Sequence, residues 1–89
     1  MSRLKDKLKE LDYEVINLQN EEFICIKRYK DIETVITLNN GIIIEDLCEV
    51  RIQGNYGFNN YEALNGFCKS LTRAYYRLLR DLEVLKEYE

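Results

Sequence analysis

The stretch YEALNGFCKSLTRAYYRLLRDLEVLKEYE, residues 61–89, decides the fold, because it contains no proline and reads as one unbroken helix. Apolar residues recur in it at alternating spacings of three and four: Tyr61, Leu64, Cys68, Leu71, Tyr75, Leu78, Leu82 and Leu85. Such a helix would be roughly 43 Å long, whereas a short strand spans only about 20 Å. One small sheet cannot cover the whole stripe, so part of it must meet another helix, a second copy or a foreign partner.

The residues before this helix predict an antiparallel sheet. Three runs rich in apolar and β-branched residues each predict a strand: Tyr13 to Leu18, Phe23 to Tyr29 and Glu33 to Leu38. Asn39-Asn40-Gly41 predicts a tight hairpin, because Asn and Gly tolerate the positive φ of such turns. A fourth strand is expected from Ile42 to about Ile52, with an irregularity at Asp46. Both faces of the second strand carry apolar residues, so the pattern does not say which face is buried.

Along the chain, one helix is expected before this sheet and another after it. Arg3 to Leu11 predicts a short amphipathic helix with leucines on one face and Ser2 as its N-cap. Before the long helix, Asn59 and Glu62 have the capping-box spacing, with Phe58 placed to staple the entry. Gly66 inside the long helix indicates close approach to the sheet. The sequence therefore predicts a single α+β domain, residues 1–89, with a four-stranded antiparallel meander in the order α-β-β-β-β-α.

Composition argues against catalysis and for a soluble domain. The 89 residues are 46% hydrophobic and 33% charged and include no histidine, so a nucleophile would lack its commonest base and zinc its commonest nitrogen ligand. Cys25, Cys48 and Cys68 form no CxxC pair and are expected to be buried free thiols. We expect no enzyme activity, no cofactor and no metal. No segment is apolar enough to span a membrane or resembles a signal peptide, so a cytoplasmic location is expected.

Charge is segregated along the chain, with an acidic sheet region and a basic first part of the long helix. The candidate acidic surface comprises Glu14, Glu21, Glu22, Asp31, Glu33, Glu45, Asp46 and Glu49. Such a surface could imitate a phosphate backbone and occupy the basic groove of a nucleic-acid enzyme. Alternatively, these carboxylates only confer solubility and protect strand edges.

A basic row follows one face of the long helix: Lys69, Arg73, Tyr76, Arg77 and Arg80. Cations with an interleaved aromatic residue could track phosphates, which gives the hypothesis of a nucleic-acid-binding accessory protein. The same row would equally suit an acidic protein surface. The alternative is an ordinary solvated helix face.

The last part of the leucine stripe is a candidate dimer interface, formed by Leu78, Leu82 and Leu85. A homodimer through the C-terminal helix would bury these residues. The alternative is that the N-terminal helix folds back and covers them with Leu4, Leu8 and Leu11.

The loop GNYGFNN, residues 54–60, is a further candidate contact, in which Asn55, Tyr56 and Phe58 could enter a pocket on a partner protein. Alternatively, Phe58 caps the core. A small-molecule sensor, holding a nucleotide at a dimer interface beside Tyr56, Tyr75 or Tyr76, is a third functional hypothesis.

This short chain without proline or histidine, with acidic strands between helices, resembles the small phage-encoded inhibitors of bacterial defence, including anti-CRISPR proteins. The resemblance concerns size, element order and charge, so it assigns no role to any residue. It implies a non-catalytic inhibitor or adaptor whose partner is a nuclease or another defence complex in the host cytoplasm.

Overall fold

The computed structural model describes residues 3–54 and 57–89. In chain order these form helix α1 (Arg3–Glu10), strands β1 (Glu14–Asn17), β2 (Glu22–Tyr29), β3 (Ile32–Asn39), β4 (Ile42–Ile43) and β5 (Glu49–Ile52), and helix α2 (Tyr61–Lys86). All paired strands are antiparallel, in the order β1-β2-β3-β4, with β5 also paired to β3. The predicted α+β fold with a short first helix and a long last helix is confirmed.

The predicted fourth strand is present but divided. Strands β4 and β5 pair with opposite ends of β3, and a 3₁₀ turn at Glu45–Leu47 separates them. The hydroxyl of Thr37 in β3 donates a hydrogen bond of 3.2 Å to the Leu47 carbonyl. The expected irregularity at Asp46 is therefore confirmed, and it leaves no long unbroken edge on this side of the sheet.

The hairpin between β3 and β4 has the geometry its sequence predicts. Asn40 and Gly41 have φ values of 54° and 76°, as the primed turns of two-residue hairpins require. Asn20 and Glu21 also have positive φ, 49° and 66°, in the turn that joins β1 to β2. Here the sequence offers no glycine, so the turn is less evident from composition alone.

Both helices pack on the same face of the sheet. The core on that face unites α1 and α2 with β2, β3 and β4: Leu4, Leu8, Tyr13, Cys25, Ile36, Leu38, Ile43, Leu78, Leu82 and Leu85. Each large aliphatic side chain buried in this way contributes about 1.5–3 kcal/mol to folding. The side of β2 that faces the helices is thus the one that carries Phe23, Cys25 and Lys27.

The entry into α2 differs from the prediction in two details. The N-cap is Asn60 and not Asn59, since Asn60 Oδ1 accepts a hydrogen bond of 2.8 Å from the Ala63 amide. The predicted close approach of the helix to the sheet at Gly66 is also wrong, because no atom would lie within 4 Å of a Cβ at this position. Gly66 belongs to the part of α2 that extends beyond the sheet.

Helix α2 is too long for the sheet beneath it. Its 26 residues span about 39 Å, whereas the longest strands have eight residues and span about 26 Å. The predicted mismatch is therefore real. Neither helix in the described ranges has the length and apolarity that crossing a bilayer requires.

Candidate functional site

The sheet face turned away from the helices carries an apolar patch. Strand pairing places Ile16, Ile24 and Thr37 in one cross-strand row and Ile26 and Val35 in the next. None of these residues belongs to the helix-facing core cluster. We call this surface, Ile16, Ile24, Ile26, Val35 and Ile42, the open face. Ile26 and Val35 at its centre are buried, whereas Ile42 at its end is 54% exposed.

A charged cluster borders the open face around a buried carboxylate. Glu33 Oε2 accepts hydrogen bonds of 2.7 Å from Arg28 Nε and from Gln53 Nε2, and Glu33 Oε1 accepts one of 2.6 Å from Arg51 Nε. Burial raises the pKa of the Glu33 carboxyl, but the hydrogen bonds from Arg51 and Arg28 outweigh it, so the net pKa is lowered. The carboxylate, 0% exposed, is ionised and fully engaged.

The predicted acidic surface forms only in part, since the strand register places Glu14, Glu22 and Glu49 on the open face. Glu33 is buried, which makes its assignment to an exposed surface wrong. Glu14 lies 4.0 Å from Arg28, Glu49 lies 3.6 Å from Arg51, and Glu45 pairs with Lys86. Glu21 and Glu22 lie at the β1–β2 turn, away from Asp46 in the 3₁₀ turn. Four of the eight carboxylates thus contact cations, Glu22 begins β2, and Glu21, Asp31 and Asp46 lie in three different turns.

The leucines assigned to a dimer interface are buried inside the chain. Leu78, Leu82 and Leu85 are only 2%, 8% and 0% exposed, because they pack in one core with Leu4 and Leu8 of α1. The alternative, a fold-back of the N-terminal helix, is confirmed, and the assignment of these three residues to a dimer interface is wrong.

The uncovered part of the stripe is at the opposite end of α2. Leu64 and Tyr75 are 42% and 52% exposed, and Cys68 between them is also exposed. Helix α1 covers the last turns of α2, so the overhang falls on its first turns. Tyr75 and Tyr76, with ring centres 6.0 Å apart, line a groove of about 350 Å³ with Leu71 and Val50. This groove is where the nucleotide-sensor hypothesis would place a ligand.

The basic row is exposed along α2, as its spacing predicts. Within residues 3–54 and 57–89, none of its four cations takes part in an ion pair: Lys69, Arg73, Arg77 and Arg80. By contrast, Lys27, Arg28, Arg51 and Lys86 all contact carboxylates. Positive charge without an ion-pair partner is therefore concentrated along this face of α2.

The candidate loop is described only in part. Asn55 and Tyr56 lie outside the described residues. Phe58 is half-buried, and its ring centre lies 5.2 Å from that of Phe67 in α2. This contact favours the packing role of Phe58 over insertion into a partner.

The cysteines are free, and two of them belong to or border the core. Burial raises the pKa of Cys25 to about 12, and it also raises the pKa of Cys48. The expectation that all three are buried is wrong for Cys68, which is exposed on the overhanging part of α2. Among the described residues, no three cysteine or carboxylate side chains are grouped so that they could hold a metal ion.

Sequence reasoning missed the two residues that bring positive charge to the open face, Arg28 and Arg51. The pairing of Arg28 with Glu33 could have been found, because a two-residue turn at Lys30–Asp31 places them opposite each other. The position of Arg51 opposite Glu33 depends on the number of residues that the 3₁₀ turn contains between β4 and β5. No local pattern gives that number.

No protein-family model, curated protein or solved structure matches this chain. The fold and its surfaces define a small α+β domain with an uncovered sheet face and a basic helix face. The functional argument therefore depends on the chemistry of these surfaces.

Proposed function

We propose that this chain is a non-catalytic protein-binding domain, an inhibitor or an adaptor, that contacts its partner through the open face of the sheet. The observation that carries the proposal is that both helices pack on the other face. Within the described residues, Ile16, Ile24 and Ile42 therefore lie on a face that no helix covers. Contiguous apolar surface of this kind, bordered by polar groups, marks protein-interaction sites.

The cluster around Glu33 supplies the polar border of this site. Arg28 and Arg51 are about half exposed, yet Glu33 accepts a hydrogen bond from Nε of both guanidinium groups and also contacts Nη2 of Arg51. A guanidinium held in place loses less side-chain entropy on binding, which is one reason why arginine is enriched among interface hot spots. The open face thus combines partly exposed isoleucines with two oriented donors. Its border also carries the carboxylates of Glu14 and Glu49, which lie opposite Ile26 and Val35.

The absence of histidine and the state of the buried acids support a non-catalytic role. The described carboxylate with the strongest burial, Glu33, is engaged by three side-chain donors and is not free to accept a proton from a substrate. The core thiols are held protonated, since burial raises their pKa. The state of these groups therefore supports a binding role.

The resemblance to small phage-encoded inhibitors supports a bacterial defence complex, such as a CRISPR nuclease, as the partner in the host cytoplasm. The distribution of the carboxylates favours one mode of inhibition over another. Half of them are neutralised within the chain, so we propose docking through the open face in place of imitation of a phosphate backbone.

A homodimer is a separate proposal, supported by the exposed stripe on the first turns of α2. Positions on either side of that stripe, Asn65 and Thr72, are uncharged. Two antiparallel copies of this segment could therefore pack without like-charge repulsion at the contact. This surface is distinct from the open face.

Site-specific photocrosslinking tests the open face. A photoreactive amino acid is placed at Ile24 or Ile42, and at Lys9 on the exposed side of α1 as a control, in cells that contain a candidate defence complex. We expect the same partner to be captured from Ile24 and Ile42 and not from Lys9. Excess unlabelled protein should compete with capture, whereas an Ile24→Asp variant should not. Equal capture from all three positions, or none from the open face, would refute the assignment.

A further inference from the structure

Two crevices run end to end between α2 and the β2–β3 turn. One, of about 160 Å³, is lined by Tyr29, Ser70, Arg73 and Arg77. The other, of about 400 Å³, is lined by Lys30, Asn59, Asn60 and Phe67 and includes Ser70. Because Ser70 belongs to both, they form one path along the helix. We call it the α2 channel, and it lies on the opposite side of the sheet from the open face.

The α2 channel has positively charged groups on both of its sides. Arg73 and Arg77 come from the helix and Lys30 from the β2–β3 turn. No aspartate or glutamate is among the described residues that line the two crevices. The carboxylate of Asp81 lines an adjoining crevice, but Lys27 and Tyr13 already engage it. The channel therefore presents cations to an anion, with no carboxylate among its described lining residues.

Aromatic and amide groups accompany these cations. Tyr29 is 60% exposed at the side of the channel, with Lys30 Nζ 5.5 Å from the centre of its ring. Asn59 and Asn60 line the far end, and Gly66 leaves that end free of a side chain, with nothing within 4 Å of a Cβ built there. A flat exposed ring between cations can stack on an unpaired base, whose phosphates the cations then neutralise.

We infer that the α2 channel binds single-stranded nucleic acid, with the phosphates near Lys30, Arg73 and Arg77 and a base on Tyr29. The helix from Asn60 to Arg77 spans about 25 Å, and the smallest sites of single-strand-binding folds take about four nucleotides. A duplex does not fit this chemistry, since its bases are already stacked and cannot cover Tyr29. The site goes beyond the proposed protein-binding function and uses different residues.

Fluorescence anisotropy with the full-length chain tests the inference. The probes are a labelled oligothymidylate of about 12 nucleotides and an oligothymidylate–oligoadenylate duplex of the same length. The single strand should bind at least about tenfold more tightly than the duplex, since only unpaired bases can stack on the ring. With the three cations of the channel engaged, its affinity should fall roughly 20-fold between about 50 and 200 mM salt. No binding at the lower salt, or duplex binding as tight as that of the single strand, would overturn the inference.

Matched charge variants separate the channel from overall charge. Arg73→Gln with Arg77→Gln removes two charges from the channel, and Arg3→Gln with Lys9→Gln removes two charges from α1, outside it. All four residues are exposed, so circular dichroism should show unchanged folding. We expect at least a tenfold loss of affinity for the first pair and less than about threefold for the second. Equal losses would show that net charge alone attracts the oligonucleotide and would overturn the inference.

Substitution of Tyr29 tests the stacking contact directly. Tyr29→Phe keeps a ring and should retain affinity, whereas Tyr29→Ala should lose roughly tenfold, as expected for one stacked base. An acidic peptide, polyaspartate, provides the last comparison. If it displaces the oligonucleotide at an equal concentration of charge, or if Tyr29→Ala binds like the unaltered chain, the channel recognises polyanions in general and the inference fails.

Discussion

The Tyr13 hydroxyl donates a hydrogen bond of 2.8 Å to Asp81 Oδ2 across 68 positions of sequence. Lys27 Nζ lies 3.1 Å from the same oxygen. Tyr13 immediately precedes β1, and Asp81 lies in the covered half of α2, so this contact joins the sheet to the helix. Burial, followed by the hydrogen bond to Asp81, raises the pKa of Tyr13 well above its ordinary value of 10.0.

Tyr13→Phe should lower the free energy of unfolding at neutral pH by about 1 kcal/mol, the net contribution of one hydrogen bond. The unaltered chain should also lose stability as the pH rises above 10.0, because Tyr13 ionises at that value only when unfolded. Urea unfolding at pH 7 and near pH 11 measures both effects. Part of the alkaline loss should be absent from the variant.

Tyr61→Phe is the matched control, since the Tyr61 side chain is 77% exposed. It should change neither the stability at neutral pH nor the alkaline loss. Burial also raises the pKa of Cys25, but that contribution is common to all three proteins. If Tyr13→Phe loses as much stability at high pH as the unaltered chain, Tyr13 does not carry the effect.

Glu33→Gln should destabilise the fold by about 1–3 kcal/mol, because Arg28 and Arg51 would face each other without an intervening charge. The pKa of Glu33 is lowered in the folded state, so its contribution is complete above its ordinary pKa of 4.5 and is lost as the pH falls through the lowered folded value. The difference between the two proteins should therefore shrink in acid. Thermal unfolding at pH 7 and near pH 3 measures it.

Glu22→Gln is the control for this change, since Glu22 is exposed and makes no ion pair within the described part of the chain. It should leave stability within about 0.5 kcal/mol of the unaltered protein. A difference between Glu33→Gln and the unaltered chain that stays constant from pH 7 to pH 3 would contradict the assigned ionisation.

The fold could be predicted from the sequence because its strongest signals are local. The Asn40-Gly41 turn and the apolar period of α2 each depend on neighbouring residues only, and the structure contains both. For α2, the sequence left two alternatives open, a dimer through its last leucines or a cover by α1, and the choice between them depends on where α1 docks. Leu4 and Leu8 precede the buried leucines of α2 by 70 positions or more, and the heptad pattern does not decide between them and a second copy as its cover.

The α2 channel was less predictable than the fold, because it too depends on contacts between residues that are far apart in sequence. The spacing of Arg73 and Arg77 on one helix face is local and was found. The channel also needs Tyr29 and Lys30, which reach it from the β2–β3 turn only through the packing of α2 on the sheet. Long-range pairing also rearranges the acidic residues: the strand register brings Glu14, Glu22 and Glu49 to the open face, whereas Glu21, Asp31 and Asp46 lie in separate turns.

Gly66→Ala should raise the free energy of unfolding by about 0.5–1 kcal/mol, because Gly66 lies within a helix and a methyl group there meets open space. Gly41→Ala is the contrasting variant. It should destabilise the protein, since Gly41 has a φ of 76° in the β3–β4 turn and alanine is strained there. Urea unfolding of both variants measures the changes. Destabilisation by Gly66→Ala would show that this position is closely packed after all.

Light scattering tests whether the exposed stripe of α2 binds a second copy. If the homodimer proposal is correct, the mass should be twice the 10.7 kDa of one chain. Leu64→Glu with Tyr75→Glu should then give a folded monomer, because both side chains are exposed. Arg80→Glu, outside the stripe, should leave the dimer intact.

Leu85→Glu provides the opposite test on the same helix. Leu85 is buried in the core with Leu8, so a charge there should unfold the chain instead of separating two folded copies. The unaltered chain is tested at about 100 μM, far above the dissociation constant of a micromolar dimer. If it is a monomer at that concentration, self-association does not cover the stripe. If Leu85→Glu instead gives a folded monomer, the covered half of α2 would be an interface and the fold-back of α1 would be dispensable.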